Sequence, residues 1–412
     1  MRVLILTQYF WPENFRINDL ATGLCDLGHA VTVLTGKPNY PGGRLFPGYS
    51  TFGQTQEQFG AVRVLRVPLA GRGNGSGLRL FFNYLSFAFW ASVLGPGRCA
   101  GEFDVIFVYE PSPITVGIPA RVMKWVKCAP IMFWVQDLWP ESLTATGAIR
   151  AQPMLKFVEW LVRWIYQGCD RVLVQSEAFI EPVGQMGVAA ERILYFPNSA
   201  EAFYQPMAPE DAPEFDALPS GFRIMFAGNI GAAQSFESIL DAATRLREVR
   251  DIHWLILGEG RQRTWVEKEI QTRDLSACVH LLGRYPADAM PRWFAHADAM
   301  LVTLRDDPVF ARTVPAKVQS YMACAKPIVA ALDGEGARVV RESGAGLAVA
   351  ADDAEALARA VLEMYKMPEP ARRAMGARGR QYFEARFERR MLLSQLEGWM
   401  ENVVAKTKAC AS

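Results

Sequence analysis

Histidine is scarce in this chain. His29, His253, His280 and His296 are the only four in 412 residues, and none stands close to another in sequence. No metal centre is therefore expected. Cysteine builds no framework either: Cys25, Cys99, Cys128, Cys169, Cys278, Cys324 and Cys410 are odd in number, scattered and free of C-x-x-C spacing. That pattern implies reduced thiols, a cytosolic setting and no zinc staple. An excess of one charge is missing as well. Lys and Arg number 44 against 43 Asp and Glu, so no nucleic-acid partner is expected. G-x-x-x-x-G-K-[ST], G-x-S-x-G and H-E-x-x-H are all absent. Their absence argues against ordinary NTPase, α/β-hydrolase and zinc-peptidase chemistry. Met1-Arg2 runs straight into Val3–Thr7, too short for a secretory leader. Leu80–Leu94 is apolar and aromatic but falls short of the roughly 18–20 residues that span a bilayer.

What is present is a globular composition, 50% apolar and 21% charged, in a chain long enough for two cores. The first half alternates short apolar strands (Val3–Thr7, Val31–Thr35, Val62–Val67, Asp104–Tyr109, Pro130–Val135, Arg171–Gln175, Arg192–Phe196) with helical patterns. Ile17, Leu20, Leu24 and Leu27 mark the first helical face. After Asn198 a Pro-, Ala- and acid-rich stretch reads as a linker, and the alternation restarts at Arg223–Ala227. The expected fold class is α/β, with two doubly wound parallel-sheet domains facing across a cleft. Their expected bounds are 1–200 and 222–385, joined by a linker over 201–221. A final helix over 386–412 is expected to cross back to the first domain.

Several loops carry candidate chemistry. Thr313-Val314 caps an expected helix over Pro315–Ala325, with Pro315 at its first position and Lys317 just inside. A helix N-terminus with a lysine suits a diphosphate, although an ordinary solvated helix would read the same way. Gly228-Asn229-Ile230-Gly231 and Gly258-Glu259-Gly260, the latter with Arg261, are strand-to-helix turns where backbone can approach phosphate. In the first half, Glu110 and Asp137 follow strands, with Trp139 and Glu141 close behind. Asp137 could orient a sugar hydroxyl, accept a proton or simply cap the next segment.

Taken together, these pieces resemble the family 4 glycosyltransferases of GT-B fold. Within that family they are most similar to the L-fucosamine-transferase-like branch of bacterial surface-polysaccharide enzymes. The resemblance rests on Tyr9-Phe10-Trp11-Pro12-Glu13, Leu27–Thr35, Lys37-Pro38-Asn39-Tyr40-Pro41, Asp137–Ser142, Ala227–Gly231, Gly258–Gly260 and Thr313–Ala331, in that order along the chain. It implies a retaining, metal-independent hexosyl or N-acetylaminosugar transfer from a UDP-sugar, with no cofactor. It also implies a polyprenyl-diphosphate-linked or other glycan acceptor at the cytoplasmic face of the inner membrane, in O-antigen or capsule synthesis. Donor contacts are then expected from Asn14, Phe15, Arg16, Gly228, Asn229, Ile230, Gly231, Gln234, Gly258, Gly260, Arg261, Arg312, Thr313, Val314, Pro315 and Ser320. Asp137, Glu110 and Lys317 are expected at the chemistry.

Three departures from the family pattern stand out. Asn229 and Gln234 replace the usual basic pair, so Lys317, with Arg261 and Arg312 behind it, becomes the candidate cation at the diphosphate. Arg312 and Ser320 replace the usual glutamate pair. Gln136 replaces the histidine that precedes Asp137. Tyr84, Trp90, Trp139 and Glu141 are the acceptor or membrane candidates. Arg63–Lys127 holds eight Lys/Arg against three acids, which an anionic membrane would attract, although an all-round apolar helix is as readily a buried one. Two other readings fit the same architecture: a UDP-sugar 2-epimerase, against which the lack of placed histidines counts, and a non-catalytic partner protein.

Overall fold

The computed structural model describes residues 1–73, 77–145, 151–212 and 218–411. The chain divides into two compact units, Met1–Pro197 with Arg390–Ser412, and Asn198–Arg389.

The first unit is built on an eight-stranded sheet of β1 (Arg2–Leu6), β2 (Ala30–Gly36), β3 (Gln56–Phe59), β4 (Val62–Val67), β5 (Val105–Glu110), β6 (Ile131–Val135), β7 (Arg171–Val174) and β8 (Ile193–Tyr195). Their spatial order is β3-β4-β2-β1-β5-β6-β7-β8. Every pairing is parallel except β3 with β4. The sequence reading missed β3 because Gln56-Glu57-Gln58-Phe59 is a polar edge strand with little burial to write a pattern. The central strands are apolar on both faces, as strands covered by helices on either side must be. Leu4 and Leu6 join one core with helices α2 (Gly77–Arg98), α3 (Gly117–Lys127) and α5 (Gln152–Gln167), the short α4 (Glu141–Ala145) lying between the last two in sequence. Val3 and Ile5, one residue out of phase, join another with α1 (Arg16–Asp26) and the terminal helix Arg389–Ala411.

The second unit is a six-stranded, wholly parallel sheet in the order β11-β10-β9-β12-β13-β14. Its strands are β9 (Phe222–Ala227), β10 (Ile252–Leu257), β11 (Val279–Gly283), β12 (Ala299–Thr303), β13 (Ile328–Ala331) and β14 (Gly346–Val349). Residues expected to form a linker belong to this unit: Tyr204 and Leu218 pack against its core, Tyr204 stacks on Phe294, and Gln205 accepts a hydrogen bond from Arg380. Positions 213–217 of that stretch lie outside the described residues.

Both sheets reverse direction once. The reversal falls between β1 and β5 in the first and between β9 and β12 in the second. Loops leaving the carboxyl ends of such strand pairs are where doubly wound sheets take their ligands.

Candidate functional site

In the second unit, the loops after β9 and β12 are tied together. The Thr303 hydroxyl donates to the Gln234 carbonyl, and the Arg305 N–H donates to that of Ala233 at 3.0 Å. The segment after β12 leads into a helix over Ala316–Ala323, for which Pro315 is the cap and not the first turn expected from the sequence. Lys317 is thus the second helical residue. Its side chain crosses to the β9 loop, where Nζ donates to Gln234 Oε1 at 2.5 Å and sits 3.8 Å from the centre of the Phe226 ring. The solvated-lysine alternative is therefore set aside. The residue keeps some exposed surface, but its ammonium is enclosed, and burial lowers its pKa to about 7. The Phe226 ring pulls the other way, favouring the cation.

Glycine makes this approach feasible. Gly228 has φ +150°, and a Cβ there would stand 3.1 Å from Lys317 Nζ. Gly258 has φ +155°, and its Cβ would meet the Gly228 carbonyl oxygen at 1.8 Å. The two turns therefore lie back to back, and the pairing needs two residues without side chains. Gly258→Ala is expected to destabilise the protein by about 2–4 kcal/mol and to displace the β9 loop, which a thermal melt and a nucleotide titration would both register.

The remaining donor candidates are placed less uniformly. Gly231 and Gly260 flank Ile230, whose own side chain is fully buried in the core, so only its backbone faces the turn. Val314 is likewise a core residue. Ser320 turns its hydroxyl back to the Ala316 carbonyl, and Thr313 turns its own to Phe310. Asn229 and Arg261 are exposed, and Arg312 is half-buried. Asn14, Phe15 and Arg16 belong to the first unit, where Phe15 stacks on Tyr9 at 5.2 Å.

The first unit carries a second cluster, at the carboxyl ends of β5 and β6. Glu110 is the last residue of β5 and fully buried. Among the described residues, neither of its carboxylate oxygens has a well-formed hydrogen bond. Burial, reinforced by the nearby Asp137 charge, holds its pKa well above the ordinary range, and the backbone N–H groups of Asp137 and Gln136 and the Trp139 indole only partly offset this. Asp137 is shifted up to about 7 by burial, and its side chain caps no helix among the described residues. Trp139 is not a surface residue, since it is buried beside Leu138 in the core. Glu141 opens α4. Trp90 packs against the core, Tyr84 is half-buried, and it is Phe81, Phe82 and Phe89 that α2 exposes.

Sequence reasoning missed three features. Phe226, the ring under Lys317, gave no signal beyond an apolar strand position. Arg72 stacks over Tyr9 and Tyr40 at 5.5 and 5.0 Å and donates to the Tyr9 hydroxyl at 2.6 Å, with no carboxylate paired to it among the described residues. The third is Glu13, buried, whose carboxylate accepts the backbone N–H groups of Phe10, Asn39 and Tyr40 at 3.2, 2.8 and 2.7 Å. It staples the loop after β1 to the loop after β2, which gives Trp11-Pro12-Glu13 and Lys37–Pro41 a structural reason to occur together. No group of three or more His, Cys, Asp or Glu suited to a metal ion occurs among the described residues.

Two parallel-sheet α/β units with paired glycine turns at a sheet reversal define the GT-B class of fold, and the comparisons agree. Residues 14–199 match the glycosyl transferase 4-like domain, and residues 221–367 match glycosyl transferases group 1. The chain belongs to the family 4 glycosyltransferases and is an enzyme of that kind. It is 26% identical, over 336 residues, to the putative colanic acid biosynthesis glycosyl transferase WcaI of Escherichia coli K12, covering 78% of this chain and 81% of that one. The fold is similar to sucrose-phosphate synthase of Thermosynechococcus elongatus (TM-score 0.74, 16% identity, 98% and 99% of the two chains). It is also similar to HepE of Anabaena in complex with UDP (TM-score 0.69, 16% identity, 98% and 100%).

Proposed function

We propose that this enzyme is a retaining, metal-independent transferase that moves a hexosyl or N-acetylaminosugar residue from a UDP-sugar to a polyprenyl-diphosphate-linked glycan during surface-polysaccharide synthesis, at the cytoplasmic face of the inner membrane. The observation that carries it is Lys317. Its enclosed ammonium lies at the reversal of the second sheet, beside two glycine turns and the N-terminus of its own helix. A diphosphate leaving group gains negative charge as the glycosidic bond breaks, and a fixed cation and aligned N–H groups stabilise that charge without reorganising. In the first unit, Asp137 orients or deprotonates at the reacting centre, with Glu110 buried behind it. Arg72, on its tyrosine shelf, is suited to an anionic group of the acceptor. Supporting parallels are HepE, whose structures hold UDP and UDP-glucose, and WcaI, named for colanic acid biosynthesis.

The test is a thermal-shift panel of UDP, other nucleoside diphosphates and UDP-sugars, run in the presence of a chelator. UDP and at least one UDP-sugar are expected to raise the melting temperature, because a ligand at 100 times its Kd stabilises by about 2.7 kcal/mol. A panel in which no nucleotide-sugar shifts the melt would remove this reading.

A further inference from the structure

The apolar run that the sequence left at fifteen residues is in fact a 22-residue helix, α2, long and apolar enough to cross a membrane by length and composition. It cannot leave the fold to do so. Asn83, Phe87, Ala91 and Gly95, four residues apart, form a stripe buried in the first unit. Asn83 accepts from Gln8 at 2.7 Å and donates to the Ala70 carbonyl, and a Cβ on Gly95 would press on Leu34 at 2.9 Å. The outward side is the anomaly: only 22% of its most apolar window is buried. Phe81, Phe82 and Phe89 are 48–58% exposed, joined by Leu78, Leu85 and Val93. Across α3, on the same face of the sheet, α5 exposes Met154, Phe157 and Trp160. Isolated exposed apolar residues are ordinary, but two helices on one face of the sheet with six aromatic and aliphatic side chains on one and three on the other are not.

Charge says what covers this face. Helices α2, α3 and α5 together carry Arg79, Arg98, Arg121, Lys124, Lys127, Lys156 and Arg163 against the single acid Glu159, in a chain whose net charge is +1. Glu159 is itself paired with Arg163 at 2.8 Å, Lys124 is paired with Asp170 at 2.6 Å just beyond α5, and Arg98 and Arg121 donate to the Arg66 and Trp164 carbonyls, so the excess rests mainly on Arg79, Lys127 and Lys156. A layer that is apolar outside, cationic and almost free of acid matches an anionic lipid surface, with aromatic rings at headgroup depth and lysines beside them. We propose that the outward faces of α2 and α5 seat the first unit on an anionic bilayer as a monotopic contact, with neither helix crossing it. This deepens the lipid-linked acceptor reading by naming the docking surface, and it extends that surface to α5, which the sequence did not single out.

Sedimentation of the full-length protein with vesicles tests it. Binding is expected to vesicles containing about 30% phosphatidylglycerol, to weaken as salt is raised, and to be weak on purely zwitterionic vesicles. Phe81→Ser with Phe82→Ser, and Phe157→Ser with Trp160→Ser, should each reduce binding by about tenfold or more, as loss of two aromatic anchors implies. The UDP-induced thermal shift should be kept, which shows the variants folded and separates this test from that of the donor site. The proposal is overturned by no binding to anionic vesicles, by equal binding to neutral ones, or by wild-type binding in both paired variants. A concentration-dependent dimer abolished by the same substitutions, without vesicle binding, overturns it in favour of self-association.

Discussion

Lys317→Met is expected to lower kcat/KM for UDP-sugar turnover by about 10³-fold, roughly 4 kcal/mol of lost transition-state stabilisation, while leaving the protein as stable as the wild type or more so. Methionine keeps the unbranched stem packed on Phe226 and deletes only the charge. The stability half of the expectation follows from the sign of the pKa shift. The folded value of about 7 lies below the ordinary 10.5, so between these two pH values the unfolded chain binds more protons than the folded one. Stability from this group therefore rises with pH across that window. Below pH 7 the fold carries the full cost of an enclosed ammonium. A bound diphosphate reverses the balance by restoring a reason for the charge. UDP binding above pH 7 should accordingly take up a proton, and affinity should fall as pH rises. Calorimetry in two buffers of different ionisation enthalpy reads that uptake, and Lys317→Met should abolish it. A variant within fivefold of wild-type turnover, or UDP affinity flat from pH 7 to 9, would show that the diphosphate rests elsewhere.

The sheet pattern of this chain is legible in its sequence for a physical reason. Parallel strands covered on both sides must be nearly continuously apolar, so the strand expected at Pro130–Val135 announces itself and is observed at Ile131–Val135. What stays hidden is whatever depends on non-local partners. Gln56–Phe59 becomes a strand only because β4 lies beside it. The extent of α2 is hidden because Gly95-Pro96-Gly97 reads as a stop, yet the helix runs through it to Arg98. The site divides in the same way. Glycine turns and the lysine after Pro315 are local signals, whereas the reach of Lys317 to Gln234 across two loops is a product of the strand order. Gln234 stands where the family resemblance led one to seek a lysine, and the folded chain brings a lysine to it from another element.

Asp137→Asn and Glu110→Gln should separate two carboxyl groups that the sequence alone treats alike. Both have folded pKa values above the ordinary carboxylate range, Asp137 at about 7 and Glu110 well above normal. Each therefore binds its proton more tightly in the folded state. The stability each contributes is complete below about pH 4 and is lost as pH rises through its folded value. Above pH 7 Asp137 is mostly ionised, and burial together with that nearby charge favours the protonated form of Glu110, which lies behind the strand end. Glutamine is a neutral near-isostere of that protonated acid. Glu110→Gln should hold transfer within about tenfold and flatten the fall in melting temperature between pH 5 and pH 8, since it removes one of the two linked protons. Asparagine, by contrast, cannot take up a proton or carry the charge of Asp137. Asp137→Asn should cost about 10²–10³ in kcat with little change in the KM for donor, and the rise of wild-type rate through pH 7 should disappear with it. Initial rates and melts across pH 5–8 measure all of these at once. Equal losses in the two variants, or a Glu110→Gln protein that melts lower than wild type at pH 8, would mean that the buried glutamate is charged and that the roles assigned to the pair are reversed.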